Sequence, residues 1–356
     1  MRNAFFANAE GVFFIFNKIL APRLQGRPMK GSFQMNRKWI ALFACVILCI
    51  SVFAGCAQSE PAASVSAEAA QEASVSPSEP AAQPSGSAPA AGVSVTDMAG
   101  DEVTVEKADR IVSLTPAGTE IVCALGAAKQ LVGIDAYSNY PEITQSIEIV
   151  GDFNGPDVEK VTALEPDVVL AGTGLQQDAV DKLGEMGITV VVVEATAFDD
   201  IPKSIELVGK IVGMEDVAEQ VTADIDAAVK SAQDNQPPEE KTVYYAMSYG
   251  DMGNWTSGPG SFINTMIELA GGKCITADQA APWIEYSLED LAAADPDIIL
   301  LDSSMGSTEA LAEVAGYKDL TAVRNGNVYA IDADVFTRPG PRIGEAVLEI
   351  SEILNK

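Results

Sequence analysis

The 356-residue chain contains no histidine. Without an imidazole there is no Ser-His or Cys-His nucleophile, no general base of the commonest kind and no His-rich zinc or manganese site, so hydrolase readings lose most of their support. Basic side chains are scarce, 22 Lys and Arg against 51 Asp and Glu, for a net charge of −29. Seven of the basic residues (Arg2, Lys18, Arg23, Arg27, Lys30, Arg37, Lys38) and one acid, Glu10, fall in the first 55 positions. The remainder carries 15 basic and 50 acidic side chains, a net charge near −35. A surface this acidic repels phosphate backbones and anionic headgroups, which argues against a nucleic-acid partner. Cysteine is sparse after the first 56 residues: only Cys123 and Cys274 remain, read as packed or separate free thiols, with a disulfide as the alternative that spacing alone does not test. Against these absences, 47% hydrophobic residues and the length itself allow a sizeable core and two domains of ordinary size.

Arg37 and Lys38 precede an apolar run from Trp39 to Ala54, too short to span a bilayer comfortably and ending in small residues. That is the form of a signal peptide, and residues 1–55 are read as a leader. Its end, Val52-Phe53-Ala54-Gly55-Cys56, resembles the lipobox of bacterial lipoproteins, which implies cleavage before Cys56 and a lipid on it; an ordinary secretory leader is the alternative. Met35 is the expected start, with residues 1–34 an extension that such a leader does not need. From Ala57 to Gly92 the chain uses only Ala, Ser, Pro, Glu, Gln, Val and Gly. This composition buries too little apolar surface to offset ordering entropy, so residues 56–92 are expected to be a lipidated cysteine and disordered tether. A wall-spanning or glycosylated stalk has the same composition.

One segment occurs twice. Residues 157–170 align without gaps on 287–300, with five of fourteen positions identical and four others exchanging aliphatic residues. Each copy reads as a short helix capped by Asp157 or Ser287, stopped by Pro166 or Pro296, and followed by an Asp turn into a buried strand. The surrounding alternation continues in both halves. It predicts strands at Ile111–Leu114, Leu131–Ile134, Val168–Ala171 and Thr189–Val193, then at Val243–Met247, Ile298–Leu301 and Val328–Ile331. Between the halves, Val217, Val221, Ile225 and Val229 recur every four residues, the mark of one long amphipathic helix. The expected fold is α/β, with two Rossmann-like lobes (93–213 and 237–356), a ligand cleft between them and a single linking helix (214–236). A stiff helical connector predicts modest rocking rather than wide swinging.

Several further pieces, in order along the chain, resemble the periplasmic binding proteins with a helical backbone that serve ABC importers of cobalamin, ferric siderophores and haem. They are Arg110 to Glu120, Ala136 to Pro141, Thr256 to Phe262, Ala281-Pro282-Trp283 and Arg338 to Ile343, and the resemblance covers about residues 93–356. It implies an extracytoplasmic, membrane-anchored carrier working with a permease dimer and its ATPase subunits, and behaving as a monomer. It also implies that a glutamate on the repeated helix of each lobe, here Glu159 and Glu289, engages permease arginines. Two equivalent carboxylates on two lobes suit a partner with two equivalent basic sockets.

Ligand contacts are expected where loops leave strand ends facing the cleft. Tyr137, Phe153, Trp255, Trp283 and Phe336 fall in such predicted loops, which points to a flat, largely apolar ligand gripped by rings. Asp334 and Arg338 offer a polar rim, or else pair with each other. Tyr137, Phe153, Trp255, Trp283, Asp334 and Arg338 stand at positions resembling contacts of the cobalamin-binding member, although Phe153 replaces an expected tryptophan. A trianionic siderophore would want more cations than Arg338 and Arg342. Haem retains the option of Tyr137, Tyr140 and Tyr249. The reading therefore favours a corrinoid, with ferric siderophore and haem as alternatives, and with no catalytic residue, resident cofactor or metal. Two rivals come from other classes. An enzyme lacks a distinguished acid pair, and Gly172-Thr173-Gly174 lacks the length and lysine of a phosphate-binding loop. A surface adhesin predicts no ligand-dependent closure.

Overall fold

Strands β1 (Val93–Thr96) and β2 (Glu102–Val105) open the folded region as an antiparallel hairpin. In this computed structural model the described residues are 92–152, 155–172 and 176–356; the leader, the tether with Cys56, and Phe153 lie outside them. Asp97 fixes the hairpin turn. One carboxylate oxygen accepts from the Ala99 and Asp101 amides, and the other accepts from the Val192 amide, tying the hairpin to the sheet that follows.

The first lobe is a six-stranded sheet of β3 (Ile111–Ser113), β4 (Leu131–Asp135), β5 (Glu148–Asp152), β6 (Gly155–Pro156), β7 (Val168–Ala171) and β8 (Val190–Val192). Its order is β6-β5-β4-β3-β7-β8, parallel except for β6. Helices α1 (Pro116–Ala124), α2 (Val158–Ala163), α3 (Gln177–Glu185) and α4 (Ile201–Val212) connect and cover it. Gly213 ends α4 in the left-handed conformation at φ 70°, and α5 (Glu215–Asp234) then runs as one 20-residue linking helix.

The second lobe comprises β9 (Thr242–Ala246), β10 (Trp255–Ser257), α6 (Phe262–Leu269), β11 (Lys273–Cys274), β12 (Trp283–Glu285), α7 (Leu288–Ala294), β13 (Ile298–Asp302), α8 (Thr308–Ala312), α9 (Thr321–Asn325), β14 (Val328–Ile331), α10 (Ala333–Phe336) and α11 (Ile343–Leu354). Its parallel sheet has the order β11-β9-β13-β14, and β10 pairs antiparallel with β12 as a separate ribbon.

The sequence repeat is a structural repeat in detail. Asp157 caps α2 by accepting from the Glu159 and Lys160 amides, and the Ser287 hydroxyl caps α7 by accepting from the Asp290 amide. Each helix is followed at the matched position by a non-glycine residue of positive φ, Glu165 at 46° and Asp295 at 39°. Asp167 then accepts from the amide of Arg110, just before β3, while Asp297 accepts from the amide of Thr242, the first residue of β9. β7 and β13 both run fully buried beside those strands, as aliphatic strands covered on two faces should.

Alternate residues of each central strand feed different cores. Val168 and Leu170 of β7 join Ile298 and Leu300 of β13 in one apolar cluster that extends through both lobes and includes Ala218, Ile225 and Ala232 of α5. Val169 and Ala171 pack on the outer face of the first lobe, and Ile299 and Leu301 on that of the second. The linking helix thus packs one face, through Ala218, Ile225 and Ala232, on the core that both lobes share, and leaves its acidic face exposed. Close approach on both of its sides depends on glycine: a Cβ on Gly209 of α4 would meet the Ala218 Cβ at 2.6 Å, and one on Gly344 of α11 would meet the Ala228 Cβ at 3.0 Å. Cys123 and Cys274 are both free, and burial pushes the Cys123 thiol up to about 11, with the Glu120 charge adding to the effect.

Candidate functional site

The C-terminal ends of parallel strands are where open α/β sheets present ligand-binding loops. In the first lobe the chain leaving β4 carries Tyr137 and Tyr140, both 47% exposed. In the second, the chain leaving β9 turns into the β10–β12 ribbon, which is held there by the Met247 and Ser248 amides donating to the Trp255 carbonyl. Trp255 faces Glu285 and Ser257 faces Trp283 across this ribbon. The alternation of the pleat puts both tryptophans on one face as diagonal neighbours. They stand in short strands, where the sequence reading had loops; three-residue strands are too short to display a period of two.

Phe336 requires a different correction. It is fully buried at the end of α10 and belongs to the core that spans both lobes, so it anchors the segment after β14 instead of lining a ligand surface. Phe153 lies outside the described residues.

Asp334 and Arg338 take the bland alternative: they pair with each other, Arg338 Nη2 lying 2.6 Å from Asp334 Oδ1. The pair is part of a larger arrangement. Arg338 Nη1 donates to Glu120 Oε1 and to Asn139 Oδ1, each at 2.9 Å, and Nη2 donates to the Tyr137 carbonyl at 3.0 Å. Arg342 grips the same carboxylate, Nε on Oε2 at 2.8 Å and Nη2 on Oε1 at 2.6 Å. Its guanidinium also lies 4.2 Å from the centroid of the Tyr140 ring. Asn139 donates to Asp334 Oδ2 at 2.8 Å. Glu120 is only 3% exposed. Burial works to lower the Arg342 pKa, but hydrogen bonding and charge from Glu120 outweigh it and hold the value above the usual range. Behind Tyr137, burial raises the Asp135 carboxyl, opposed by hydrogen bonds from Ser138 and the Tyr137 amide and by the charge of Arg338.

Sequence reasoning missed Glu120 as a site residue. The signal was present: Glu120 is the only charged residue from Ile111 to Ala128, set in an apolar helix, and such an acid needs a cationic partner.

Glu159 and Glu289 sit at the second position of α2 and α7, both exposed. Apolar side chains stand exposed at Ile149 and Met186 in the first lobe, the latter touched by the Thr162 hydroxyl of α2, and at Leu288, next to Glu289. Cavities of about 650 Å³ between β1 and α4 and about 730 Å³ between β14 and α11 are lined by none of the predicted site residues.

Two α/β lobes built on one plan, exposed rings at strand ends and a single helix joining the halves make up the fold of a two-lobed binding protein. The sequence profile described as Periplasmic binding protein matches residues 111–335, and the chain belongs to that family as the substrate-binding protein of an ABC importer. An uncharacterized ABC transporter substrate-binding lipoprotein, YvrC, from Bacillus subtilis (strain 168) is 32% identical over 325 residues, 89% of this chain and 97% of that protein. A vitamin B12-binding protein from Yersinia pestis (strain Pestoides F) is 28% identical over 239 residues, 67% of this chain and 83% of that one. Among solved structures, the periplasmic heme-binding protein RhuT from Roseiflexus sp. RS-1, in apo form, superposes with a TM-score of 0.64 at 25% identity, covering 69% of this chain and 98% of that one. These relatives are substrate-binding transport proteins, consistent with the reading that no reaction is catalysed. Family members work with permease and ATPase components.

Proposed function

We propose that the protein captures a corrinoid in the inter-lobe cleft and delivers it to its permease from a lipid anchor on Cys56. The observation that carries the ligand reading is the aromatic set: Tyr137 is exposed at a strand end of the first lobe, and Trp255 and Trp283 share one face of the ribbon in the second. Such rings suit a broad, largely apolar macrocycle. The vitamin B12-binding relative supports the same choice. Haem is the second reading, favoured by the two half-exposed phenols Tyr137 and Tyr140 and by the resemblance to a heme-binding structure.

Glu159 and Glu289 are assigned to permease docking, supported by their matched exposed positions at the N-terminal turns of duplicated helices. The anchor is supported by the alignment with the lipoprotein relative, whose 89% coverage is more than residues from Val93 onward supply, so the likeness reaches into the tether and leader. The carrier is taken to act as a monomer.

Calorimetric titration of the purified protein with cyanocobalamin, cobinamide, ferric siderophores and haemin tests the ligand. Saturable corrinoid binding that weakens about tenfold in Trp255→Ala, the loss expected for one stacked ring, is the predicted result. Tight haemin or siderophore binding without corrinoid binding would replace the ligand and keep the family.

A further inference from the structure

Helix α1 and the loop after β4 from one lobe meet the loop between α10 and α11 from the other at a set of four charged side chains. Glu120 and Asp334 supply two negative charges, Arg338 and Arg342 two positive ones. The donors of Arg338 are spent on Glu120, Asn139, Asp334 and the Tyr137 carbonyl, and its side chain is 10% exposed. Arg342 donates through Nε and Nη2 to Glu120 and the Asp334 carbonyl, with Tyr140 against its flat face. Asp135, the next ionisable group behind Tyr137, is an acid. The β10–β12 ribbon and the segments leading into its strands carry Asp251, Asp278 and Glu285, also acids. At the seam of the lobes the two arginine charges are therefore matched by two carboxylates in direct contact with them. An anion seeking either guanidinium would have to compete with a carboxylate already in place, and drawing an arginine from the buried Glu120 would strip that acid of one of its two partners.

We propose that Glu120 and Asp334, by neutralising Arg338 and Arg342, set the charge selectivity of the inter-lobe cleft, which admits neutral or cationic ligands and rejects chelates carrying free carboxylates. The proposal rests on the cleft being the ligand site, and it assigns a selectivity role to a glutamate that touches no ligand. Its test needs no corrinoid. Haemin carries two free carboxylates, whereas haemin dimethyl ester has the same ring without them, so the pair isolates charge from shape. Binding of both is measured by absorbance titration for the wild type, Glu120→Gln, Asp334→Asn and the double variant Glu120→Gln/Arg342→Gln. Each single variant unmasks one positive charge, and the double variant restores balance.

Haemin affinity should rise at least tenfold in each single variant, with no comparable gain for the ester, and should return towards the wild-type value in the double variant. Asp334 is 44% exposed, so Asp334→Asn is expected to fold and decides the matter should Glu120→Gln fail to. Equal gains for haemin and its ester would overturn the proposal, as would unchanged haemin affinity in a folded Asp334→Asn protein, or wild-type haemin binding as tight as that of the variants. Failure of the wild type to bind cyanocobalamin would sink the corrinoid reading alone, because the comparison of haemin with its ester does not depend on it.

Discussion

Glu120 holds two arginines from the other lobe, so its loss should be felt beyond the cleft. Glu120→Ala leaves Arg342 largely buried without a carboxylate and Arg338 with Asp334 alone, and is expected to destabilise the protein by about 3 kcal/mol, read from the denaturant midpoint. Asp135 predicts a pH effect of definite sign. Burial holds its carboxyl above 3.8, so the folded protein binds this proton more tightly than the unfolded chain does. The stabilisation is complete below 3.8 and is lost as pH rises through the higher folded value. Asp135→Asn should flatten that part of the stability profile, and equal slopes in variant and wild type would count against the assignment. Single residues were unevenly legible. Glu120 goes unread although its isolation in an apolar helix marks it, and Phe336 reads as a loop ring because α10 is four residues long and shows no periodicity. Only the tertiary context distinguishes a core anchor from a ligand contact there.

Helices α2 and α7 place Glu159 and Glu289 at equivalent exposed positions, with different neighbours. Lys160 follows Glu159, while Asp290 follows Glu289. Reversing both acids to Arg is expected to cut ligand uptake in cells by about tenfold or more while leaving affinity for free ligand within about twofold, because exposed charges govern encounter and register with a partner. A parallel loss of ligand affinity would place these helices in the binding site instead. The strands around them were legible from aliphatic runs: Val168–Ala171 and Val328–Ile331 match the expected bounds, and the other predicted strands differ by a residue or so at an end. The β10–β12 ribbon was not, since three residues cannot establish an alternation and its pairing partner is more than 25 residues away.

The two halves share one continuous core, and α5, about 30 Å long, lays one face on it through Ala218, Ile225 and Ala232. Rocking of the lobes must therefore be accommodated by packing on that helix. Gly209→Leu would drive α4 away from Ala218, and is expected to lower stability by about 1–3 kcal/mol and to widen the spread of lobe orientations seen by solution scattering. The internal repeat foretold two lobes of like construction, but the inter-lobe ion set depends on residues outside the repeat and could not be inferred from it. The matched backbone turns at Glu165 and Asp295 also bear on where stability can still be gained. Both carry the same left-handed strain, yet only Asp295 has found a use for its side chain, accepting from the Thr321 amide and hydroxyl. The first copy thus holds a strained turn with no side-chain bond to offset it. Glu165→Gly should raise the melting temperature, by the equivalent of about 1 kcal/mol, whereas Asp295→Gly should gain nothing, so that a protein engineer would find the shared lobe plan improvable on one side only.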